Sequence, residues 1–194
     1  MTVRCGNHFR GCSYSPLRIR SGVALFLVAS TVFCNGPAAP QPAASASLEY
    51  DVKAAFLLNF TKFVEWPPSA FASPDAPLNI CIVGDDPFGR TIDQLVEGEF
   101  VNQHRIIVER IRTDQPKACQ ELFVGNNGVP AAFTAANPAV LTVGDGGDFI
   151  RQGGIIAFVI DNRHVRFAIN LKAATNAGLK LSSKLLSVAR SVEK

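Results

Sequence analysis

Short apolar runs alternate with turn residues and helix-like stretches along the chain after residue 77. Six of these runs are typical of buried strands, and they cover residues 78–83, 105–111, 121–124, 140–143, 155–160 and 165–169. Helix-like stretches or long links separate most of the runs, which favours parallel strands because a parallel pair needs a long crossover connection. The sequence therefore predicts an α/β fold of three layers, with a mostly parallel central sheet and helices on both faces.

The last two runs are joined differently from the others. Only Asp161-Asn162-Arg163-His164 separates residues 155–160 from residues 165–169, a spacing typical of a hairpin. The predicted sheet therefore ends in one late antiparallel pair.

A helix is predicted before the first strand, over residues 50–66. Its apolar side chains recur at helical spacing, which predicts core packing, and they are Val52, Phe56, Phe60 and Phe63. Pro67-Pro68 ends this helix because proline cannot donate a helical hydrogen bond. Asp86 is predicted to cap a second helix that runs to Glu97. Residues 116–120 form a predicted helical link, and residues 130–136 a predicted weak helix.

The first 46 residues form a predicted export signal followed by a Pro- and Ala-rich segment. A basic stretch without acids precedes an apolar run over residues 23–33, which is too short to cross a hydrocarbon core of about 30 Å. Ala44-Ser45-Ala46 supplies the small residues at which such signals are cleaved. We therefore expect the folded domain to cover residues 47–194, outside the cytoplasm and not inserted in the membrane once the signal is removed.

Removing this segment changes the charge of the protein. Residues 47–194 keep fifteen of the nineteen Lys and Arg and all sixteen Asp and Glu, so the net charge falls to about −1. This balance argues against a nucleic-acid partner, which needs a basic surface.

Removing the segment also leaves Cys81 and Cys119 as the remaining cysteines, in a compartment that permits disulfides. A bridge between them is one prediction. It would close a loop of about 38 residues and stabilise the fold by about 3–4 kcal/mol. Because Cys81 lies inside an apolar strand, a buried free thiol is the alternative.

The loops that follow the predicted strands are rich in glycine and aspartate, and they are the predicted ligand crevice of an α/β fold. They contain Asp85, Asp86, Arg90 and Asp145. None of these loops matches a dinucleotide or phosphate-binding motif, so no cofactor is predicted. The acids are interpreted as turn and capping residues rather than metal ligands.

Catalysis is not indicated by the residues of the predicted domain. Its two histidines, His104 and His164, accompany neither a nucleophile elbow nor a cysteine cluster. We therefore expect a binding protein rather than an enzyme.

The end of the chain carries the predicted partner surface. Residues 171–177 and 183–192 are predicted helices, capped by Asn170 and Ser182. The second would hold more apolar residues than one core-facing stripe accommodates, so the surplus either forms an exposed patch or packs in the core. The residues assigned to this surface are Arg163, Arg166, Leu179, Lys180, Leu181, Lys184 and Leu185, of which the bases would surround the patch and guide a partner or remain solvated surface charges.

Four blocks of the sequence carry a resemblance to a known family. They are Tyr-Asp-Val-Lys-Ala-Ala-Phe-Leu-Leu-Asn-Phe-Thr-Lys-Phe-Val-Glu-Trp-Pro at residues 50–67, Ile-Cys-Ile-Val-Gly-Asp-Asp-Pro-Phe-Gly at 80–89, Val-Leu-Thr-Val-Gly-Asp at 140–145, and the tail from Val165 through Ala177-Gly178-Leu179-Lys180-Leu181-Ser182-Ser183-Lys184 to Leu186. With these blocks the chain resembles the YfiR-like family of periplasmic proteins, over nearly all of residues 49–192.

The resemblance implies a regulator in the periplasm of a Gram-negative bacterium. It implies binding and repression of the periplasmic sensing domain of an inner-membrane diguanylate cyclase, which sets cyclic di-GMP levels and biofilm formation. It further implies a homodimer and control by an OmpA-like outer-membrane lipoprotein. The rival hypothesis is a sensor that binds a small ligand in the Asp85–Asp145 crevice.

Overall fold

An eight-stranded sheet lies at the centre of the protein in the computed structural model, which describes residues 42–111, 118–125 and 138–194. The described helices and strands, in chain order, are α1 (Pro42–Phe63), β1 (Val64–Glu65), a 3₁₀ turn (Pro68–Ala70), β2 (Leu78–Val83), α2 (Thr91–Val96), β3 (Phe100–Val101), β4 (His104–Ile111), β5 (Glu121–Val124), β6 (Leu141–Asp145), α3 (Asp148–Arg151), β7 (Ile156–Asp161), β8 (His164–Asn170), α4 (Leu171–Asn176), β9 (Lys180–Leu181), α5 (Ser183–Val188) and β10 (Ser191–Glu193).

The strand order in the large sheet is β10-β8-β7-β6-β5-β2-β4-β3. Neighbouring strands are parallel except in two hairpins, β7 with β8 and β3 with β4. β1 and β9 form a separate antiparallel pair. This is the three-layer, mostly parallel α/β architecture that the sequence predicts, with the expected late hairpin and one further hairpin that was not predicted.

Both faces of the sheet are buried, so the central strands are almost continuously apolar. One face packs against α1, α2, α4 and α5, where Phe60 meets the rings of Phe158 and Phe167. The opposite face packs against α3 and the segment at Cys119. Alternate residues of β2 serve the two cores: Ile80 faces α1, and Cys81 faces α3.

The predicted strands agree closely with the observed ones, because their apolar runs are short and bounded by turn residues. β2 and β5 match residue for residue, and β4, β6, β7 and β8 begin or end within two residues of the prediction. Asn162 and Arg163 form the tip of the β7–β8 hairpin with φ of 49° and 64°. Two successive left-handed residues are the backbone of a tight hairpin turn whose twist matches that of its strands.

The first helix differs from its prediction at both ends. α1 begins at Pro42, inside the segment assigned to the export signal, where alanine is abundant and proline suits the first helical position. It ends at Phe63 rather than Trp66, because Val64 and Glu65 pair with β9 as a strand. Among its predicted core residues, Phe60 is buried and Phe56 half-buried, but Val52 and Phe63 are exposed.

The predicted helix over residues 183–192 is wrong in its second half. α5 ends at Val188, and Ser191–Glu193 form β10, which extends the sheet parallel to β8. The apolar surplus that suggested an exposed patch arose from counting Val192 as helical, whereas its half-buried side chain packs against the core from a strand. Asn170 and Ser182 cap α4 and α5 as predicted, with their side chains accepting from Ala173 N and Leu185 N.

Asp86 caps a turn rather than a helix. Its Oδ1 accepts from the backbone N–H groups of Phe88 and Gly89, and α2 begins only at Thr91 without a side-chain cap. The export signal up to residue 41 and the weak helix over residues 130–136 lie outside the described residues. Residues 118–120, the described part of the predicted helical link, are not helical. None of the described helices has the length and apolar character that would let it cross a membrane.

Candidate binding surfaces

The carboxyl edge of the sheet, where β2, β5 and β6 end, is the predicted place for a ligand crevice. The loop after β2 and the end of β5 touch there through their backbones. A Cβ on Gly125 would lie 2.6 Å from the Asp85 oxygen, and a Cβ on Gly84 would lie 3.0 Å from the Gly125 oxygen. Gly84 also has φ of +85°, which disfavours other residues. The two glycines therefore allow the loops to meet where a ligand would otherwise enter.

A phenylalanine closes the neighbouring part of the same edge. The ring of Phe149, on α3, lies against Gly144 at the end of β6, and a Cβ on Gly144 would be 2.5 Å from it. Phe149 is only 5% exposed. The space above Gly144, in which the sequence placed a crevice, is thus filled by a core side chain.

Asp86, predicted as a crevice residue, is held by an arginine instead. Nε of Arg110, in β4, lies 2.7 Å from Asp86 Oδ2, and its guanidinium makes two bonds to the Asp93 carboxylate, at 2.7 and 2.9 Å. Arg110 also donates to the Gly89 carbonyl, so it clamps the whole loop. Hydrogen bonding to Arg110 lowers the pKa of Asp93. Arg90 is exposed and stands outside this clamp.

Asp145, the fourth crevice residue, pairs with a buried lysine that the sequence analysis had not singled out. Lys53 Nζ lies 2.7 Å from Asp145 Oδ1 and 2.6 Å from Glu49 Oε1, with its side chain only 4% exposed. Tyr50 donates a longer bond, 3.3 Å, to Asp145 Oδ2. Desolvation lowers the pKa of Lys53, but its bonds to the two carboxylates outweigh burial and raise it. The ammonium therefore stays charged and fastens α1 to the end of β6.

At the carboxyl edge, the space beside Gly84, Gly125 and Gly144 is thus occupied by other parts of the protein, and Asp86 and Asp145 form ion pairs with Arg110 and Lys53. Across the described ranges, no group of three or more His, Cys, Asp or Glu side chains is arranged to hold a metal ion.

The residues of the predicted partner surface do not form one patch. Leu179 and Leu185 are 4% and 3% exposed and belong to the core, so for these two the core alternative is correct. Leu181 is half-buried in β9.

The four bases predicted to surround that patch are all exposed. Arg163 and Arg166 lie at and near the β7–β8 turn. Lys180 and Lys184 follow the opposite end of β8, which is about 20 Å long at the usual rise of a strand. Their shared surface stays a prediction.

Cys81 and Cys119 form a disulfide, with Cα atoms 5.9 Å apart. Cys81 lies inside β2, and Cys119 lies two residues before β5. The bridge therefore ties two adjacent parallel strands at the amino edge, the side of the sheet where they begin.

The amino edge carries an open groove that the sequence analysis missed. This amino-edge groove has a volume of about 720 Å³. Its lining includes three rings, three aliphatic side chains and one charged residue, namely Trp66, Phe71, His104, Val64, Leu78, Val101 and Glu65. The rings of Phe71 and His104 stack with centroids 3.8 Å apart. These residues come from the segment after α1 and from β2, β3 and β4, so no local sequence pattern unites them.

Gln120 organises the wall of this groove from behind. The buried side chain accepts from Asn79 N at 2.8 Å and donates to Ala70 O at 2.6 Å. Its backbone carbonyl accepts from Trp66 Nε1 at 2.9 Å. One residue, next to the disulfide, thus fixes the indole, the 3₁₀ turn and the start of β2.

Glu121, the next residue, is fully buried, and its carboxylate oxygens have no hydrogen-bond partner among the residues that the structure describes. It lies between Ile80 and Leu141 on the neighbouring strands. Desolvation raises the pKa of Glu121 well above its ordinary value, so the protonated acid is favoured. From the sequence, Glu121 is predicted only as the first residue of a strand.

Large apolar side chains are exposed on α1 and α5. They are Leu48, Val52 and Phe63 on α1 and Val188 on α5. Leu48 and Val52 are one turn apart and hence neighbours on the helix surface. We call these two residues the α1 face. The even spread of apolar residues around α1 was a signal for such a face, because a helix with one core-facing side has a polar opposite side.

The described residues thus form an α/β domain with a filled carboxyl edge, an open aromatic groove and exposed apolar residues on its helices. The sequence model of the YfiR/HmsC-like family matches residues 50–190, so the chain belongs to that family, whose members are periplasmic regulatory proteins. No curated protein matches the chain.

Proposed function

We propose that this protein binds the periplasmic sensing domain of an inner-membrane diguanylate cyclase and represses the enzyme, thereby lowering cyclic di-GMP. The family match over residues 50–190 carries the proposal, because it spans nearly the whole folded domain rather than one motif. The basic and apolar start of the sequence supports export to the compartment where that sensing domain lies.

The α1 face supports a protein partner. Leu48 is 65% exposed, and Val52, one turn further along α1, is also exposed, whereas Ala54, Leu57 and Phe60 of the same helix are buried in the core. Adjacent exposed apolar residues are typical of protein interfaces. In this proposal Arg163, Arg166, Lys180 and Lys184 contribute charge that guides the approach of the partner and add little to the final affinity.

The same proposal includes a homodimer and release of repression by an OmpA-like outer-membrane lipoprotein that captures the regulator. Light scattering of the purified protein tests the dimer, and a monomer at micromolar concentration would contradict it. Co-expression of the lipoprotein should raise cyclic di-GMP only in cells that contain this protein.

The central experiment uses the full chain with its own export signal, purified from the periplasm and titrated with the sensing domain of a co-encoded cyclase. We expect saturable binding, and we expect cellular cyclic di-GMP to rise when the gene is deleted. Recovery of the protein from the cytoplasm, or unchanged cyclic di-GMP after deletion, would overturn the proposal.

A matched pair of variants on α1 tests the surface. Val52→Asp places a charge on the α1 face and should weaken binding by about tenfold or more, since an interface core disfavours an unpaired charge. Asn59→Asp, at another exposed position of the same helix, should bind like the native protein. Equal binding by the two variants would exclude the α1 face.

A small-ligand sensor is the second candidate function. Its predicted crevice is closed by the backbone contact between Gly125 and Asp85 and by the ring of Phe149. The open concave surface is the amino-edge groove, and it is the observation that favours any ligand at all.

A further inference from the structure

The amino-edge groove has the size and walls of a small-molecule site. Its volume of about 720 Å³ falls within the range of about 300–1,000 Å³ that such sites occupy. Trp66 and the stacked pair of Phe71 and His104 line it with rings, the half-buried Val101 adds apolar surface, and the buried Val64 and Leu78 back its floor.

The charge of the groove has one sign. Glu65 is the only charged side chain among the described residues that line it, accompanied by the neutral polar residues Ser73, Asn102 and Gln103. No lysine or arginine belongs to that described lining. An anionic ligand would therefore meet a carboxylate without a compensating cation, whereas a cation would be attracted.

The N–H groups of the Trp66 and His104 rings already form hydrogen bonds within the protein. Trp66 Nε1 donates to the Gln120 carbonyl, and His104 Nδ1 lies 2.6 Å from the Ala76 carbonyl oxygen. A carbonyl can only accept, so Nδ1 carries the proton, and Nε2 is an acceptor in the neutral ring. The groove thus offers π faces and acceptors, which together bind ammonium groups.

The walls are fixed before any ligand arrives. Gln120 holds Trp66, the 3₁₀ turn and the start of β2 together, and the adjacent disulfide holds Gln120. Prior ordering lowers the entropy that a ligand must lose on binding.

From these observations we propose that the amino-edge groove binds a small organic cation, an ammonium group on an aryl or alkyl body, with Glu65 as its counter-ion and Trp66 as its stacking surface. Lys180 is the internal competitor, because it lies directly opposite Glu65 in the β1–β9 pair. The site adds a chemical input to the protein and does not depend on the proposed cyclase partner.

Trp66 reports binding directly, because it is the only tryptophan in the 194 residues. The protein, expressed with its own export signal and purified from the periplasm, is titrated with benzyltrimethylammonium at constant ionic strength while Trp66 emission is recorded. Phenylacetate and benzyl alcohol serve as the anionic and neutral compounds with the same ring. We expect a saturable change with the cation and an affinity about tenfold above that of either control compound.

Three variants distinguish Glu65 from general surface charge. Glu65→Gln should weaken cation binding by about tenfold, and Lys180→Gln should strengthen it by about two- to threefold. Glu65→Asp should retain most of the affinity, which guards against a folding defect. Glu97→Gln, an exposed acid that does not line the groove, should change nothing.

Equal affinity for cation and anion, unchanged binding by Glu65→Gln, or no saturable signal up to about 10 mM would overturn the assignment. Since these measurements involve no cyclase, they succeed or fail separately from the proposed repressor function.

Discussion

The two edges of the sheet differ in a way that reverses the usual arrangement of an α/β protein. At the carboxyl edge, Gly84 and Gly125 let two loops touch, and Phe149 covers Gly144. At the amino edge, the segment after α1 lines an open groove of about 720 Å³ together with residues of β2, β3 and β4. Ligands in such folds commonly sit beyond the carboxyl ends of the strands.

A sheet edge that is rich in glycine is therefore not necessarily open to a ligand. Glycines allow close approach, and here the approach is between parts of the protein itself. The charged residues of the carboxyl edge follow the same logic, since Arg110 satisfies Asp86 and Lys53 satisfies Asp145. The carboxyl edge is therefore closed by contacts within the protein, whereas the amino edge keeps an open groove.

The comparison is tested most strongly by removing one phenylalanine from each edge. Phe149→Ala should lower the free energy of unfolding by about 3–5 kcal/mol, because it empties a packed site. Phe100→Ala, in the exposed strand β3 next to the groove residue Val101, should cost about 0.5 kcal/mol or less, since Phe100 is 57% exposed. Urea unfolding of both variants measures the two changes in free energy. Similar changes would contradict the difference between the two edges.

The disulfide is expected to stabilise the amino edge. Replacing Cys81 and Cys119 together by alanine should lower the free energy of unfolding by about 3–4 kcal/mol, the loop-entropy value for cysteines 38 residues apart. A reductant should destabilise the native protein by a similar amount and leave the double variant unchanged. A native protein indifferent to reductant would contradict this prediction.

Gln120 should matter more to the groove than to the rest of the fold. Gln120→Ala removes the side-chain bonds to Asn79 and Ala70 and should cost about 1–3 kcal/mol. We expect Trp66 emission to shift to the red as the loosened indole gains contact with water. Gln152→Ala, at an exposed position after α3, should alter neither measurement.

Glu121 gives the amino edge a dependence on pH. Its pKa is raised by burial, so the native state binds more protons than the unfolded state, and stability falls as pH rises above the unfolded pKa. From about pH 5 upward, each unit should cost about 1.4 kcal/mol until the folded pKa is reached. Glu121→Gln keeps the shape without the titration and should flatten this slope in urea unfolding at several pH values. A variant with the native slope would show that another group is responsible.

The strands could be predicted because their information is local. The apolar runs at residues 78–83 and 121–124 are bounded by turn residues, and β2 and β5 coincide with them. The caps Asn170 and Ser182 were equally readable, since a cap contacts a residue three positions later. The end of α1 was not, because Val64 becomes a strand only through Leu181, which lies more than a hundred residues away.

The candidate sites likewise combine features that are local in the sequence with contacts between residues far apart in the chain. Asp145 was recognised as a residue of the carboxyl edge, but its pairing with Lys53 depends on where α1 crosses the sheet. Leu179 and Leu185 were assigned to a surface because the length of α5 was overestimated, and β10 then took Val192 into the sheet. The amino-edge groove joins Trp66 to His104 through the fold alone.

Most of the strands, their order, the caps of α4 and α5 and the family could be read from the sequence alone, since each depends on residues a few positions apart or on blocks read in line. Tertiary structure alone decided which edge is open, which acids are neutralised and which leucines are buried. These properties are set by distances between side chains far apart in the chain, and such distances exist only after the sheet has assembled.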